Sequence, residues 1–574
     1  MSKSYLPVIQ FEPDGYVLDG PKLMGRQSAG NGFLRAAINA GSEHLKLDPE
    51  TYLEVMTPHQ QSARIFAQIV KEQGPELNSR WVPSDRLDLL KQNGALFLPG
   101  PGLAGAARQR LRIDPGAWSI TGTTHTLCSH TAMDALVDIV AAPVMPWDAL
   151  ICASTVAQHA VKTLFELQAQ YLNWRFGVTQ CVIPQLPIIP FGVHQSDFEF
   201  SSDDRTRARK RLGVAPEKVM VLFAGRLSFH AKAHPYPMFV GLQRAAEKAK
   251  QDIELLLCGQ FPNDAVKQAF FEGLKRYAPR VHPQWVDGKN FAHYNEAWAA
   301  SDLFVSLSDN LQETFGITPV EAMAAGLPVV VSDWDGYKDT VEEGVTGYRI
   351  PTWMPPPSLG TALAASFEAG TIKYDRYIGL ACLEVSVDLN VLTDRLYDLI
   401  TQPALRAQMG SAGKKHVAQK YNWSIVMQQH IVLWKELYRI RIDGVKQNQA
   451  KFAAAPKASP ARQDPYLVFE SFPTHVIRPE TEVQLEDAHA DTQWADIKSD
   501  ALFSFAGDFL PQPDDVKQII ECLSMVETHK ISIQTLAEKL SLTPDQMIRV
   551  LAPMAKLGFV SFINSTPFNL IFEL

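Results

Sequence analysis

Glu313-Thr314-Phe315-Gly316-Ile317-Thr318-Pro319-Val320-Glu321-Ala322-Met323-Ala324-Ala325-Gly326-Leu327-Pro328-Val329-Val330 decides the reading of this chain. An apolar run, Leu303–Leu307, precedes it, and another, Val329–Val331, closes it. Strand, turn, short helix and strand make a βαβ unit. Phe315-Gly316 opens the helix, so free backbone N–H groups and the positive dipole end face the space beyond the strand ends. Glu313 lies at that mouth, and Glu321 is expected about two turns along the helix. A carboxylate accepts hydroxyls and N–H groups hold phosphate or sugar oxygens, so the unit suits a phosphorylated sugar. Spacing alone would favour two surface glutamates.

Outward from this unit the α/β rhythm repeats. Before it come Val219–Arg226, Ile253–Cys258 and Val281–Val286; nearer the start come Tyr52–Met56, Ala95–Leu98, Ala117–Thr121, Ala149–Ala153 and Gln180–Pro184. Strands alternating with helical patterns predict α/β architecture: two Rossmann-like, doubly wound domains facing a cleft. The expected divisions are 1–205, 206–420, a crossover helix at 421–442, a partly ordered linker at 443–512 and a small, mostly helical module at 513–574. Ala453–Ala461 has linker composition. The last segment reads as three helices (about Val516–Met525, Ile531–Leu540 and Thr543–Leu551) and a hairpin from Leu557–Phe562 and Phe568–Phe572, a winged-helix-like pattern.

The chain has 574 residues, enough for several cores, and 46% hydrophobic against 20% charged residues marks it as mainly globular. A net charge of -8 argues against general attraction to nucleic acid or anionic lipid. In the last module Lys517, Lys530, Lys539, Arg549 and Lys556 face seven carboxylates, net -2, which disfavours DNA and leaves docking of a protein or a purely structural role. Six scattered cysteines without a Cys-x-x-Cys pair read as reduced core thiols. There is no signal-peptide core at the first residues and no apolar run of bilayer length, so the expectation is a cytoplasmic protein, with the inner face of a membrane as one place of work.

The glutamate stretch resembles the Glu-x7-Glu signature of glycosyltransferase family 4, retaining enzymes of the GT-B fold. The Glu-x-Phe-Gly start, the Glu-Ala-Met-Ala-Ala-Gly-Leu-Pro-Val-Val continuation and the later Gly347-Tyr348 all agree. The resemblance spans roughly Lys22 to Tyr438 and is densest from Val219 to Ile350. It implies that Glu321 holds the ribose hydroxyls of a nucleotide-diphosphate sugar, that Glu313 binds the donor sugar, and that the backbone of Thr314, Phe315 and Gly316 meets sugar or phosphate oxygens.

Gly225-Arg226-Leu227 with Lys232 six residues after the arginine resembles the family's diphosphate-binding element; one forked and one point cation can neutralise a leaving diphosphate. Gly259, at the end of Leu257-Cys258-Gly259, resembles the glycine that lets the nucleotide approach. Ser28-Ala29-Gly30-Asn31-Gly32-Phe33 stands where the family has a Gly-Gly loop, so Gly30 and Gly32 are candidate phosphate-side residues ahead of a helix at Leu34–Asn39; a simple turn is the alternative. His125, in Thr121–Thr126, is the candidate that donates to a sugar hydroxyl or the departing phosphate, with His130 as competitor. Trp285 is a candidate to stack on the base, against plain core packing. The sequence is read as holding no metal-binding motif on a helix or loop and no cysteine ligand cluster, so no cofactor is expected and the cations are expected to do the electrostatic work without a metal.

The expected function is a retaining, metal-independent hexosyltransferase acting from a sugar nucleotide onto a glycan, lipid-linked or protein acceptor, with polysaccharide biosynthesis as the family-level setting. A sugar-nucleotide epimerase, and a non-catalytic sugar-nucleotide sensor acting through the last module, are the competing classes.

Overall fold

Met220-Val221-Leu222-Phe223-Ala224 is buried along its whole length, the pattern of a parallel strand covered on both faces. In the computed structural model, which describes residues 5–18, 25–487, 490–527 and 530–563, such strands build two six-stranded parallel sheets. The first contains β1 (Val8–Gln10), β2 (Tyr52–Thr57), β3 (Asn78–Pro83), β4 (Ala95–Leu98), β5 (Ser119–Thr123) and β6 (Ala149–Ile151). The second contains β7 (Met220–Ala224), β8 (Ile253–Cys258), β9 (Val281–Val286), β10 (Leu303–Ser306), β11 (Val329–Ser332) and β12 (Gly347–Ile350).

The orders are β3-β2-β1-β4-β5-β6 and β12-β11-β10-β7-β8-β9. Both are the doubly wound order that reverses direction once. The reversal falls between β1 and β4 in one lobe and between β7 and β10 in the other. Loops leaving the carboxyl ends of those four strands therefore diverge and open a crevice, which is where ligands bind in such sheets. Each sheet has apolar cores on both faces, for example Val221, Phe223, Leu255 and Val305 on one side of the second sheet and Leu222, Leu256, Phe304 and Val331 on the other.

The lobes are joined twice at one place. Val193 N–H donates to the Tyr421 carbonyl at 2.8 Å, and Trp423 N–H donates to the Val193 carbonyl at 3.1 Å. From there a long helix, Trp423–Gln447, returns to the first lobe, where Trp434 Nε1 donates to Thr121 Oγ1 at 3.2 Å.

Several boundaries differ from the sequence expectation. The first-lobe strands β1 and β3 were not among the expected runs, because Val8–Gln10 is too short to show a period and Asn78–Pro83 is too polar. Gln180–Pro184 is not a strand; Gln185 and Ile188 instead form isolated bridges to Ala149 and Cys152. The expected division at 205/206 cuts the helix Ser202–Leu212, whose Arg205 and Arg209 both bind Asp302 of the second lobe. The crossover helix runs to Gln447 rather than 442. The expected linker 443–512 is largely structured: a second compact unit begins at Pro460, and Trp494 and Leu510 lie in its core.

That unit contains the helices Pro513–Ser524, Ile533–Lys539 and Pro544–Lys556 and a three-stranded antiparallel sheet. The central strand is Glu482–Leu485, from inside the supposed linker, paired with Lys530–Ser532 and Val560–Ile563. The expected second hairpin strand, Phe568–Phe572, lies outside the described residues. No described helix is long and apolar enough to cross a membrane.

Candidate active site

The loop after β7 carries Gly225, Arg226 and Lys232, and the loop after β10 carries Asn310, Gln312 and Glu313. Side chains and backbone stitch the two together. Asn310 Nδ2 donates to the His230 carbonyl at 2.7 Å, Gln312 Nε2 to the Ala231 carbonyl at 3.3 Å, and Ser308 Oγ to the Lys232 carbonyl at 3.4 Å. Arg226 is anchored on the same Ala231 carbonyl at 3.1 Å. Lys232 and Glu313 meet in a direct ion pair with 14% and 18% of their side chains exposed. Arg226, Lys232, Glu313 and Glu321 all line one cavity of about 850 Å³ between the lobes, a size that takes a nucleotide sugar.

The helix of the signature, Ile317–Ala325, begins two residues later than expected. Gly316 is its N-cap at φ 74°, and a Cβ there would collide with the buried ring of Tyr337. Glu321 therefore lies just over one turn into the helix, not two. Its carboxylate accepts from Tyr294 Oη at 2.8 Å. Thr314, Phe315 and Gly316 line the cavity, and Thr318 Oγ1 is buried beside it with no partner among the described residues.

Burial and charge set the protonation states. Burial disfavours charge on Lys232, but the attraction of Glu313, aided by Tyr337 and Asp335, prevails and holds its pKa above the ordinary value. For Glu313 burial pulls upward, and Lys232 and Arg226 outweigh it, so the carboxyl stays ionised below its usual range. Burial lifts Glu321 to about 7, against the hydrogen bond from Tyr294 and the charge of Lys232. Asp335, buried at φ 42°, is driven well above the carboxylate range by burial and by Glu313, and one of its oxygens has no partner among the described residues.

The amino-terminal side departs from expectation. The long helix of this region covers Gly25–Leu45, so Gly30 and Gly32 lie inside it rather than in a loop. A Cβ at Gly30 would collide with the Gly15 carbonyl and one at Gly32 with the Trp423 indole. Both glycines serve close packing, which overrides their poor helix propensity. Gly25 and Arg26, at the helix start, line the cavity instead.

His125 does line the cavity, but not as a donor. Its Nε2 lies 3.0 Å from the Pro99 carbonyl, which can only accept, so Nε2 carries the proton. Burial lowers its pKa to about 4, leaving Nδ1 as a bare acceptor. His130 stacks instead on Phe367 of the other lobe at 3.7 Å.

Residues 204–355, which contain both cations and both glutamates, match the family described as Glycosyl transferases group 1. This segment of the chain is similar to group 1 glycosyltransferases. It is 24% identical over 232 residues to the alpha-maltose-1-phosphate synthase of Mycobacterium tuberculosis, covering 39% of this chain and 50% of that one. It is 30% identical over 175 residues to the D-inositol 3-phosphate glycosyltransferase of Geodermatophilus obscurus, covering 28% and 36%. The chain thus spans about half the length, or less, of these curated relatives. Among solved structures, Anabaena HepE in complex with UDP is 17% identical, over 75% of this chain and 99% of that one, with a TM-score of 0.47.

Gly259 also lines the cavity, but a Cβ there would strike the Gly225 carbonyl, so the glycine lets two strand ends meet. Trp285 does not line the cavity; its Nε1 donates to the Gly259 carbonyl at 2.9 Å and Lys267 sits 4.0 Å over its ring. Sequence reasoning missed Arg26, Tyr294, Thr318 and Tyr374. Tyr374 Oη donates to Gln312 Oε1 at 3.0 Å and lies 3.4 Å from Cys128 Sγ of the other lobe. Thr318 stands within the signature stretch, whereas Arg26, Tyr294 and Tyr374 come from three other segments that no local pattern marks.

Proposed function

We propose that the protein is a retaining, metal-independent hexosyltransferase that uses a nucleotide-diphosphate sugar. The observation that carries this reading is the convergence of Arg226, the Lys232–Glu313 pair and Glu321 in one cavity at the switch point of the second sheet. Glu321 takes the ribose hydroxyls. Ionised Glu313 accepts from hydroxyls of the donor sugar. Arg226 and Lys232 face the diphosphate, whose negative charge grows as it leaves, and stabilise it more in the transition state than in the ground state.

The acceptor hydroxyl oxygen bonds to the anomeric carbon as the bond from that carbon to the diphosphate oxygen breaks. The hydroxyl proton passes to the leaving diphosphate on the same face, so configuration is retained, as the resemblance implies. The acceptor is a glycan, a lipid-linked glycan or a protein, and the carboxyl-terminal unit is a site for a protein partner.

The test is purified protein with a panel of sugar nucleotides in EDTA, following heat stabilisation and diphosphate release. One donor should stabilise and turn over selectively. Absence of both with every donor overturns the proposal. Conversion of a sugar nucleotide without any acceptor would make it an epimerase, and loss of turnover in EDTA would refute metal independence.

A further inference from the structure

A second cavity, of about 190 Å³, opens beside the first in the amino-terminal lobe. Arg26, Ala29, Pro99, His125 and Phe191 line both, so the two compartments share a wall that includes His125. The second is far smaller than a drug-sized pocket and has room for a single ring.

Its walls are aromatic. Phe33 and Phe97 stack at 4.2 Å, and Tyr16, Phe191 and Trp423 add three more rings to the lining. Two wall residues are polar and almost wholly buried, Thr123 and His430, and His430 is 5% exposed. Its Nδ1 lies 2.9 Å from the Val426 carbonyl and so carries the proton. Burial, which brings its pKa to about 4, keeps the ring neutral. Nε2 is left as an acceptor without a partner among the described residues. Nε2 therefore opens onto the cavity as an acceptor, which a phenyl ring in the same place would not offer. The unsatisfied nitrogen on a cavity wall points to a ligand that donates to it.

His125 Nδ1 is a second bare acceptor on the shared wall. The charged residues are Glu12, on the rim, and Asp14, paired with Arg26 at 2.5 Å. With both imidazoles neutral the formal balance is -1, which repels a phosphate or carboxylate and tolerates hydroxyls. Apolar ring faces with a few acceptors suit a flat-faced polyol.

We propose that this cavity is the subsite for an uncharged monosaccharide ring, the acceptor's terminal sugar, whose hydroxyls donate to His430 Nε2 and His125 Nδ1. The acceptor assignment rests on the transferase reading; the sugar binding does not. The shared wall would set the acceptor sugar next to the donor compartment, and phosphorylated acceptors would be excluded.

The test is binding of the methyl glycosides of glucose, galactose, mannose and N-acetylglucosamine, and of glucose 6-phosphate, to the full-length protein. Calorimetry and ligand-detected NMR are read with and without UDP and UDP-hexoses. At least one neutral glycoside should bind, persist when UDP or a UDP-hexose is present, and exceed glucose 6-phosphate at least tenfold. His430→Phe should weaken it at least fivefold with UDP affinity unchanged. Glu12→Gln, on the rim, should narrow the discrimination against the phosphate and serves if the buried variant does not fold.

No glycoside binding, preference for the phosphate, indifference to both variants, or displacement by a UDP-hexose, which would make the cavity the donor sugar's, each overturns the subsite. Glycoside binding without any binding of nucleotide or sugar nucleotide would instead sink the transferase reading and leave the subsite standing.

Discussion

Removing Lys232 leaves Glu313 and the buried carboxyl of Asp335 without their nearest cation. In the intact protein Glu313 is held below its ordinary pKa, so its contribution to stability is present above about pH 4.5 and fades on acidification. In Lys232→Ala burial dominates, the Glu313 pKa rises above its unfolded value, and stability falls as pH increases. The variant's loss of melting temperature relative to the native chain should therefore be larger at pH 8 than at pH 5. Diphosphate release should drop by about two orders of magnitude or more. An equal melting penalty at both pH values would show that the pair is not electrostatically coupled. Glu321 behaves oppositely, because its pKa is raised to about 7. Its burial is tolerated at low pH and destabilises progressively as pH climbs from about 4.5 through 7. Glu321→Gln keeps an acceptor for Tyr294 and should be more stable than the native chain at pH 8, by at most about 3 kcal/mol, and equal to it at pH 4. Donor affinity measured by calorimetry should rise through pH 7 in the native chain and stay flat in the variant. Lys232, Glu313 and Glu321 were legible in the sequence because two local stretches, the loop after β7 and the strand–loop–helix unit of the glutamates, resemble the family's motifs. Their protonation was not, because burial and the approach of Tyr294 and Asp335 are tertiary facts.

The element that carries the glutamates depends on one backbone conformation. Gly316 adopts φ 74° and its missing side chain makes room for Tyr337. Gly316→Ala combines a left-handed penalty with a collision and should destabilise by about 2–4 kcal/mol, with donor binding lost. Gly344→Ala is the comparison: φ is 72° but nothing lies within 4 Å of the added methyl, so about 1 kcal/mol and intact donor binding are expected. Similar losses from both substitutions, read as urea midpoints, would refute a steric role for Gly316. The same elements show where local reading stops. The βαβ units with long apolar strands were readable, whereas three-residue β1 lacks a detectable period although it sits at the centre of its sheet. Gly30 and Gly32 look like a loop by propensity and are helical because the Gly15 carbonyl and Trp423 pack against them.

At the scale of the whole molecule, residues 1–459 and 460–574 form separate compact units with separate cores. A chain ending at Ser459 should fold cooperatively and keep its affinity for the donor nucleotide; loss of either would show that the first unit needs the second. The sequence by itself determined that two doubly wound lobes exist, that the second carries Arg226, Lys232, Glu313 and Glu321, and that a helical module follows. The lobes and the module rest on periodicity and the four residues on the resemblance of local motifs, each within some tens of residues that the chain carries locally. Only the tertiary structure decided the rest: that the loops after β7 and β10 pair Lys232 with Glu313, that His125 accepts rather than donates, and that Trp423 and His430 come from a helix near residue 430 to wall a cavity in the first lobe. Those outcomes depend on strand order and on contacts hundreds of residues apart, and on which polar atoms are left without water, none of which a local pattern encodes.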